Sequence, residues 1–208
     1  MSEKITVKWL GHASFKISKD DYSIVLDPFK PSSVPGLKDI NETANEVLCS
    51  HEHYDHNYRE AVKIISGKKS PFTVTEINTF HDDEHGAKRG PNIIRVFESD
   101  GVKVVHFGDL GCNLTDEQIN LLKGADCVLI PVGGFFTIDA QKAQKIVEQI
   151  EAKVVIPMHY RTADFGFDVI ANINDFLDIC GRWVRYPSNT IEIGHEDKHY
   201  CCVLTLGK

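Results

Sequence analysis

Ser50-His51-Glu52-His53-Tyr54-Asp55-His56 places three histidines and one aspartate within six positions. Neutral imidazoles with a carboxylate form a donor set for zinc, and they also take manganese or iron. The residues just before, Glu46-Val47-Leu48-Cys49, read as a short buried strand. The ligands therefore leave a strand end with the core behind them. In extended backbone, side chains two positions apart point the same way, so His51 and His53 can share one ion. Asp55 and His56 follow a change of direction and are placed to serve a second ion a few ångströms away, as in two-metal hydrolases.

Outward from this stretch, the N-terminal side alternates. Residues 5–10, 15–18 and 22–26 read as three strands, with a turn at Gly11-His12 and an end at Asp27-Pro28. Residues 29–37 form a loop carrying prolines, serines and Gly36, suited to a preformed lid. On the C-terminal side the spacing predicts a helix over 58–66, ending at Gly67. A strand over 72–80 then delivers His81. A hairpin over 92–97 and 102–107 turns at Ser99-Asp100-Gly101 and leads into Gly108-Asp109. Thr115-Asp116-Glu117-Gln118 is a capping box opening a short helix. A buried strand at 128–132, an amphipathic helix over 139–150 and a strand at 153–157 lead to Met158-His159-Tyr160-Arg161. A last helix over 169–180 and three closing strands, 183–186, 190–193 and 200–206, complete the pattern. Strands with few helices, then strand-helix-strand-helix, then strands fit two packed sheets with helices outside.

The 208 residues suit one domain, residues 1–208, and 42% apolar content is enough for a sizeable core. A formal net charge of −7, with no basic run, argues against general affinity for nucleic acid. The first four residues, Met1-Ser2-Glu3-Lys4, carry no signal-peptide core, and no apolar run approaches membrane-spanning length. The expectation is a soluble, cytoplasmic protein without a membrane partner. Six scattered cysteines with no Cys-x-x-Cys pair read as reduced thiols. The sequence leaves the oligomeric state open.

His51-x-His53-x-Asp55-His56, after a small residue, resembles the motif of the metallo-β-lactamase superfamily. The resemblance covers roughly residues 5 to 206. It implies an α/β fold, the four-layer αββα sandwich, with metals at one edge between the sheets. It also implies that His81 completes the first site beside His51 and His53. Asp109 would bridge both ions, and His159 would join Asp55 and His56 in the second site. His85 is the local competitor of His81, but it sits among acids before Gly86, whereas His81 directly ends a strand. Gly11-His12-Ala13-Ser14-Phe15, His81-Asp82, Arg89-Gly90-Pro91-Asn92, His106-Phe107-Gly108-Asp109-Leu110-Gly111 and Pro157-Met158-His159-Tyr160 resemble the branch that includes ascorbate-6-phosphate lactonase. Many members of that branch have histidine where this chain has Cys112.

His106 lies three residues before Asp109, so alternation turns it away from the site. His12 is read as a substrate contact or proton donor, or equally as a structural histidine. Asp27 is read as a brace for the ligand loop or equally as a turn residue. Arg161, two residues after His159, is read as the grip on a substrate anion or as a surface residue paired with Asp164.

The expected cofactors are two divalent ions, zinc foremost, with manganese or iron as competitors. The expected function is hydrolysis of a small anionic lactone, ester or phosphodiester, with Asp55 and His12 as catalytic groups. The rivals are a nuclease of the same fold, a non-catalytic metal-binding or sensor protein, and an iron-dependent oxidoreductase. Diiron relatives usually place glutamate where this chain has His53.

Overall fold

In the computed structural model, which describes residues 4–195 and 199–207, two sheets face each other across a shared apolar core. Met1, Ser2 and Glu3, part of the segment read above for a signal peptide, lie outside the described residues. Strands β1 (Ile5–Gly11), β2 (Ser14–Lys19) and β3 (Tyr22–Leu26) form an antiparallel meander. Strand β4 (Glu42–Ala44) lies apart, and β5 (Glu46–Leu48) pairs parallel to β3. A 3-10 turn at Arg59–Ala61 leads into β6 (Val62–Ile64), which pairs with β4.

Strands β7 (Thr73–Phe80), β8 (Pro91–Ser99) and β9 (Val102–His106) begin the second sheet as an antiparallel run. Helix α1 (Asp116–Leu122) leads to β10 (Cys127–Pro131), and helix α2 (Ala140–Ile150) leads to β11 (Val154–Met158). Both strands pair parallel, and every residue in them is buried, as expected of strands covered on both faces. After the short helix α3 (Ile173–Leu177) and β12 (Trp183–Tyr186), β13 (Thr190–Ile193) crosses to pair with β1. β14 (Tyr200–Leu204) inserts between β11 and β12. The sheets run β13-β1-β2-β3-β5 and β12-β14-β11-β10-β9-β8-β7.

Alternation decides what each sheet buries. Tyr22, Ile24 and Leu26 of β3 enter the main core with Phe15, Ile17 and Trp9. Val25, between them, faces a second cluster with Phe29, Val34, Ile40, Ala44, Ala61 and Val62. The expected sandwich is observed, with one difference in its outer layers. Among the described residues, α1 and α3 pack against α2, which packs on β10 of the seven-stranded sheet. The five-stranded sheet is covered by the β4–β6 pair, the 3-10 turn and the 29–37 loop.

The helix expected over 58–66 is therefore absent. Val62, Ile64 and Ile65 are β-branched, and pairing with Glu42–Ala44 outweighs their helical spacing. The helix expected over 169–180 shortens to Ile173–Leu177, because Asn172 caps it by accepting from the Asn174 amide. No described helix is long and apolar enough to cross a membrane.

Helix α2 matches its sequence pattern. Ala143, Ile146, Val147 and Ile150 are buried, and Asp139 Oδ1 accepts from the Lys142 amide at 2.8 Å. The predicted cost of Asp139→Ala is about 1 kcal/mol of unfolding free energy, the usual worth of an N-cap. Urea denaturation measures it, and an unchanged midpoint would show that the cap contributes nothing.

Candidate metal centre

Every ligand candidate leaves a strand end or a strand-to-strand turn. His12 sits in the β1–β2 turn, Asp27 follows β3, and the 50–56 stretch follows β5. His81 follows β7, Asp109 closely follows β9, and His159 follows β11. His12, Asp27 and His159 all hold positive φ (51°, 44° and 53°), a region non-glycine residues avoid. Such strain concentrates where surrounding packing fixes a functional geometry. Gly108 is obligatory in the same sense: a Cβ there would lie 2.3 Å from Asn92 Oδ1 and 2.5 Å from Ser50 Cβ. The close approach lets Asn92 Oδ1 accept from the Asp109 amide at 2.9 Å.

The side chains fall into two groups whose donor atoms converge. His51, His53 and His81 form one, with ring centroids 4.6 to 5.1 Å apart. Asp55, His56, His159 and His12 form the other. Asp109 lies between them. Its Oδ2 is 3.3 Å from His81 Nε2, 3.1 Å from His56 Nε2 and 3.2 Å from His159 Nε2. His56 Nε2, both nitrogens of His159, both of His12, His51 Nε2 and Asp109 Oδ1 are buried without a hydrogen-bond partner. Buried polar atoms are nearly always satisfied, so such a convergence identifies a site for a ligand.

Asp27 sets the proton positions. Its Oδ1 accepts from the Ser50 amide at 2.6 Å, and its Oδ2 accepts from Ser50 Oγ and from His56 Nδ1 at 2.9 Å. With its proton on Asp27, Ser50 Oγ accepts in turn from His51 Nδ1 at 2.9 Å. One buried carboxylate thus leaves Nε2 of both His51 and His56 as lone-pair donors facing the site. Its own oxygens are engaged, so Asp27 orients ligands, although its position beside His51 and His56 would itself permit coordination.

Electrostatics agree with metal binding. Burial pushes His51 down to about 3 and His12 and His81 down to about 4, so all three are neutral near pH 7. Neutral imidazole is the form that coordinates. Burial alone would also push His56 down, but Asp109, Asp55 and Asp27 together hold it well above the ordinary value. Burial would raise Asp109, yet His159 and His56 keep it well below the carboxylate range. Burial likewise opposes ionisation of Asp27, and the hydrogen bond from His56 with the charges of His106 and His51 brings it to about 2. Ionised carboxylates packed against the neutral imidazoles of His12, His51 and His81 form a pocket suited to a multivalent cation, which would displace the extra proton that the carboxylates hold on His56.

His106 is buried away from the cluster, donating Nε2–H to the Ala13 carbonyl at 2.9 Å. His85 is exposed and packs edge-on against Phe80. Cys112 is half-buried beside the main core. Arg161 gives its Nε–H to the Ile170 carbonyl at 2.8 Å, which ties it to its own loop. The sequence reading did not single out Asn92 as the residue that holds Asp109, nor Asp82, which organises the loop after His81. A polar side chain inside or directly after a β-rich run was the available signal in both cases.

Residues 6–159 match the family described as the Beta-lactamase superfamily domain. A UPF0173 metal-dependent hydrolase of Methanoculleus marisnigri is 30% identical, over 90% of this chain and 96% of its own. One of Hyperthermus butylicus is 29% identical, over 75% of this chain and 83% of its own. A crystal structure from Thermotoga maritima, of a candidate Zn-dependent hydrolase of the metallo-β-lactamase superfamily, superposes with a TM-score of 0.77. It is 32% identical and aligns over 96% of this chain and 98% of that one. The chain therefore belongs to the metallo-β-lactamase superfamily and, within it, to the UPF0173 metal-dependent hydrolase family.

Proposed function

We propose that this protein hydrolyses a small anionic lactone, ester or phosphodiester with two divalent ions. His51, His53 and His81 would hold one. Asp55, His56 and His159 would hold the other, with His12 alongside, and Asp109 would serve both. The observation that carries the reading is the meeting of two imidazole groups on one carboxylate oxygen. An imidazole-rich donor set suits zinc, ahead of manganese or iron. Bound divalent ions supply Lewis acidity and bring the pKa of water near neutrality.

The chain's own residues divide the remaining work. Asp55 is held ionised: burial opposes this, and His56 and His12 outweigh it. Its Oδ2 lies 3.5 Å from His12 Nε2 and 3.7 Å from His56 Nε2. It is thus placed to accept a hydrogen bond from the attacking water and orient it. Neutral His12 beside it can take the water's proton and pass it to the leaving group. Asp27, through Ser50 and His56, keeps the ring nitrogens aimed inward.

The net charge of −7 disfavours a polynucleotide and leaves the metal centre as a local attraction for a small anion. The chain's resemblance to the lactonase branch supports a phosphorylated sugar lactone as one candidate. A cytoplasmic location is part of this proposal.

In zinc-loaded protein, Asp55→Asn is expected to lower kcat by about 100-fold or more, with a small change in Tm. Full activity in the variant would remove Asp55 from the mechanism. Asp27→Asn is expected to weaken metal binding by about 10- to 100-fold, measured by competition with a chelator. Unchanged affinity would refute its orienting role. A screen of small anionic lactones, esters and phosphodiesters against single-stranded RNA and DNA tests the substrate class. Efficient nucleic-acid cleavage that falls steeply with salt would favour the nuclease instead.

A further inference from the structure

Arg161, the arginine nearest His159 in sequence, is anchored to the Ile170 carbonyl. A different arginine lies against an aromatic wall beside the candidate metal centre. The Phe167 ring packs 5.5 Å from His12, and Phe136 packs 6.1 Å from Phe167 and 6.4 Å from His159. The Arg89 guanidinium lies over Phe136, 5.7 Å from the ring centre. It is thus one aromatic ring removed from a ligand candidate. Among the described residues no carboxylate forms an ion pair with it, whereas Arg59 and Arg95 pair with Glu52 and Glu76.

Both sides of this stack are preset. Arg89 belongs to the loop that follows His81, and buried Asp82 organises that loop. Asp82 Oδ1 accepts from the Glu84 and Gly86 amides at 2.8 and 2.9 Å. Its Oδ2 accepts from the Lys88 and Arg89 amides at 3.0 and 2.7 Å. The His81 amide donates to the Gly90 carbonyl at 3.0 Å, closing the loop on the ligand. On the other side, Phe135 holds a φ of 57° and is 63% exposed. A large apolar residue that is both strained and exposed marks a working rim. The Phe135 and Phe136 rings meet edge-on at 4.7 Å.

We infer that Arg89 and Phe136 form a subsite for a carboxylate or phosphate on the substrate, remote from the bond cleaved, with its apolar body against Phe136 and Phe167. Arg89 is a specificity residue in this reading. A planar guanidinium stacked on a ring keeps its donors free at the edge for a bidentate anion. The inference rests on the proposed metal-dependent hydrolase, which supplies the site next to which this grip acts.

The test uses zinc-loaded protein and two non-hydrolysable probes, phenylphosphonate and 4-carboxyphenylphosphonate, titrated calorimetrically. The phosphonate reports on the metal centre and the added carboxylate on Arg89. Wild type is expected to bind the carboxylated probe about tenfold more tightly. Arg89→Met, which keeps the stem over Phe136, is expected to erase that preference and leave phenylphosphonate affinity unchanged. Arg89→Lys should retain part of it. Wild type without the preference, or Arg89→Met that keeps it, overturns the inference. Failure of both probes to bind zinc-loaded wild type overturns it as well, and also removes the anion-binding premise of the proposed function. Loss of the preference alone leaves that function standing.

Discussion

The structure depends on one buried carboxylate. Asp27 ends β3 in a left-handed conformation and receives the Ser50 amide, Ser50 Oγ and His56 Nδ1. Through Ser50 it also fixes His51. Two histidines from different ligand groups therefore take their tautomer and ring orientation from a single residue. The sheet register makes this possible, since β3 and β5 pair in parallel with Leu26 opposite Leu48. Asp27 and Ser50 then leave neighbouring strands together. The β3–β5 pairing thus places Asp27 against the ligand loop.

The opposite sheet contributes the complementary half. His81, Asp109 and His159 leave β7, β9 and β11, all in the seven-stranded sheet. Asn92 on β8 receives the Asp109 amide and donates to the Phe107 carbonyl and Thr79 Oγ1. The two sheets meet on Asp109, whose oxygen faces imidazoles from both. Burying so much ionisable surface without hydrogen bonds is unfavourable by itself. Cation binding offsets that cost, so metal and fold are thermodynamically linked.

Much of this was legible in the sequence. The spacing of His51, His53, Asp55 and His56 and their exit from a strand announced the centre. The resemblance added His81, Asp109 and His159, which the structure brings to the same edge. His106 stays outside the cluster with its Nε2–H on the Ala13 carbonyl, but β9 ends at His106, so the alternation argument does not extend to Asp109. Other features were hidden because they depend on distant pairing. The β-branched run at 62–65 became a strand only because β4 was there to receive it. His12 joins the second ligand group through a turn conformation that no spacing encodes. Arg161 has the right position in sequence, but its side chain is tied to the Ile170 carbonyl. Arg89, far from His159 in sequence, arrives through Phe136.

The central claim is that two ions share Asp109. Anomalous X-ray diffraction from zinc-loaded crystals, collected on either side of the zinc absorption edge, tests it most directly. The account predicts two peaks. One is enclosed by His51, His53 and His81, the other by Asp55, His56 and His159, with the Asp109 carboxylate between them. A single peak at full zinc loading, or two peaks neither of which touches Asp109, would contradict it.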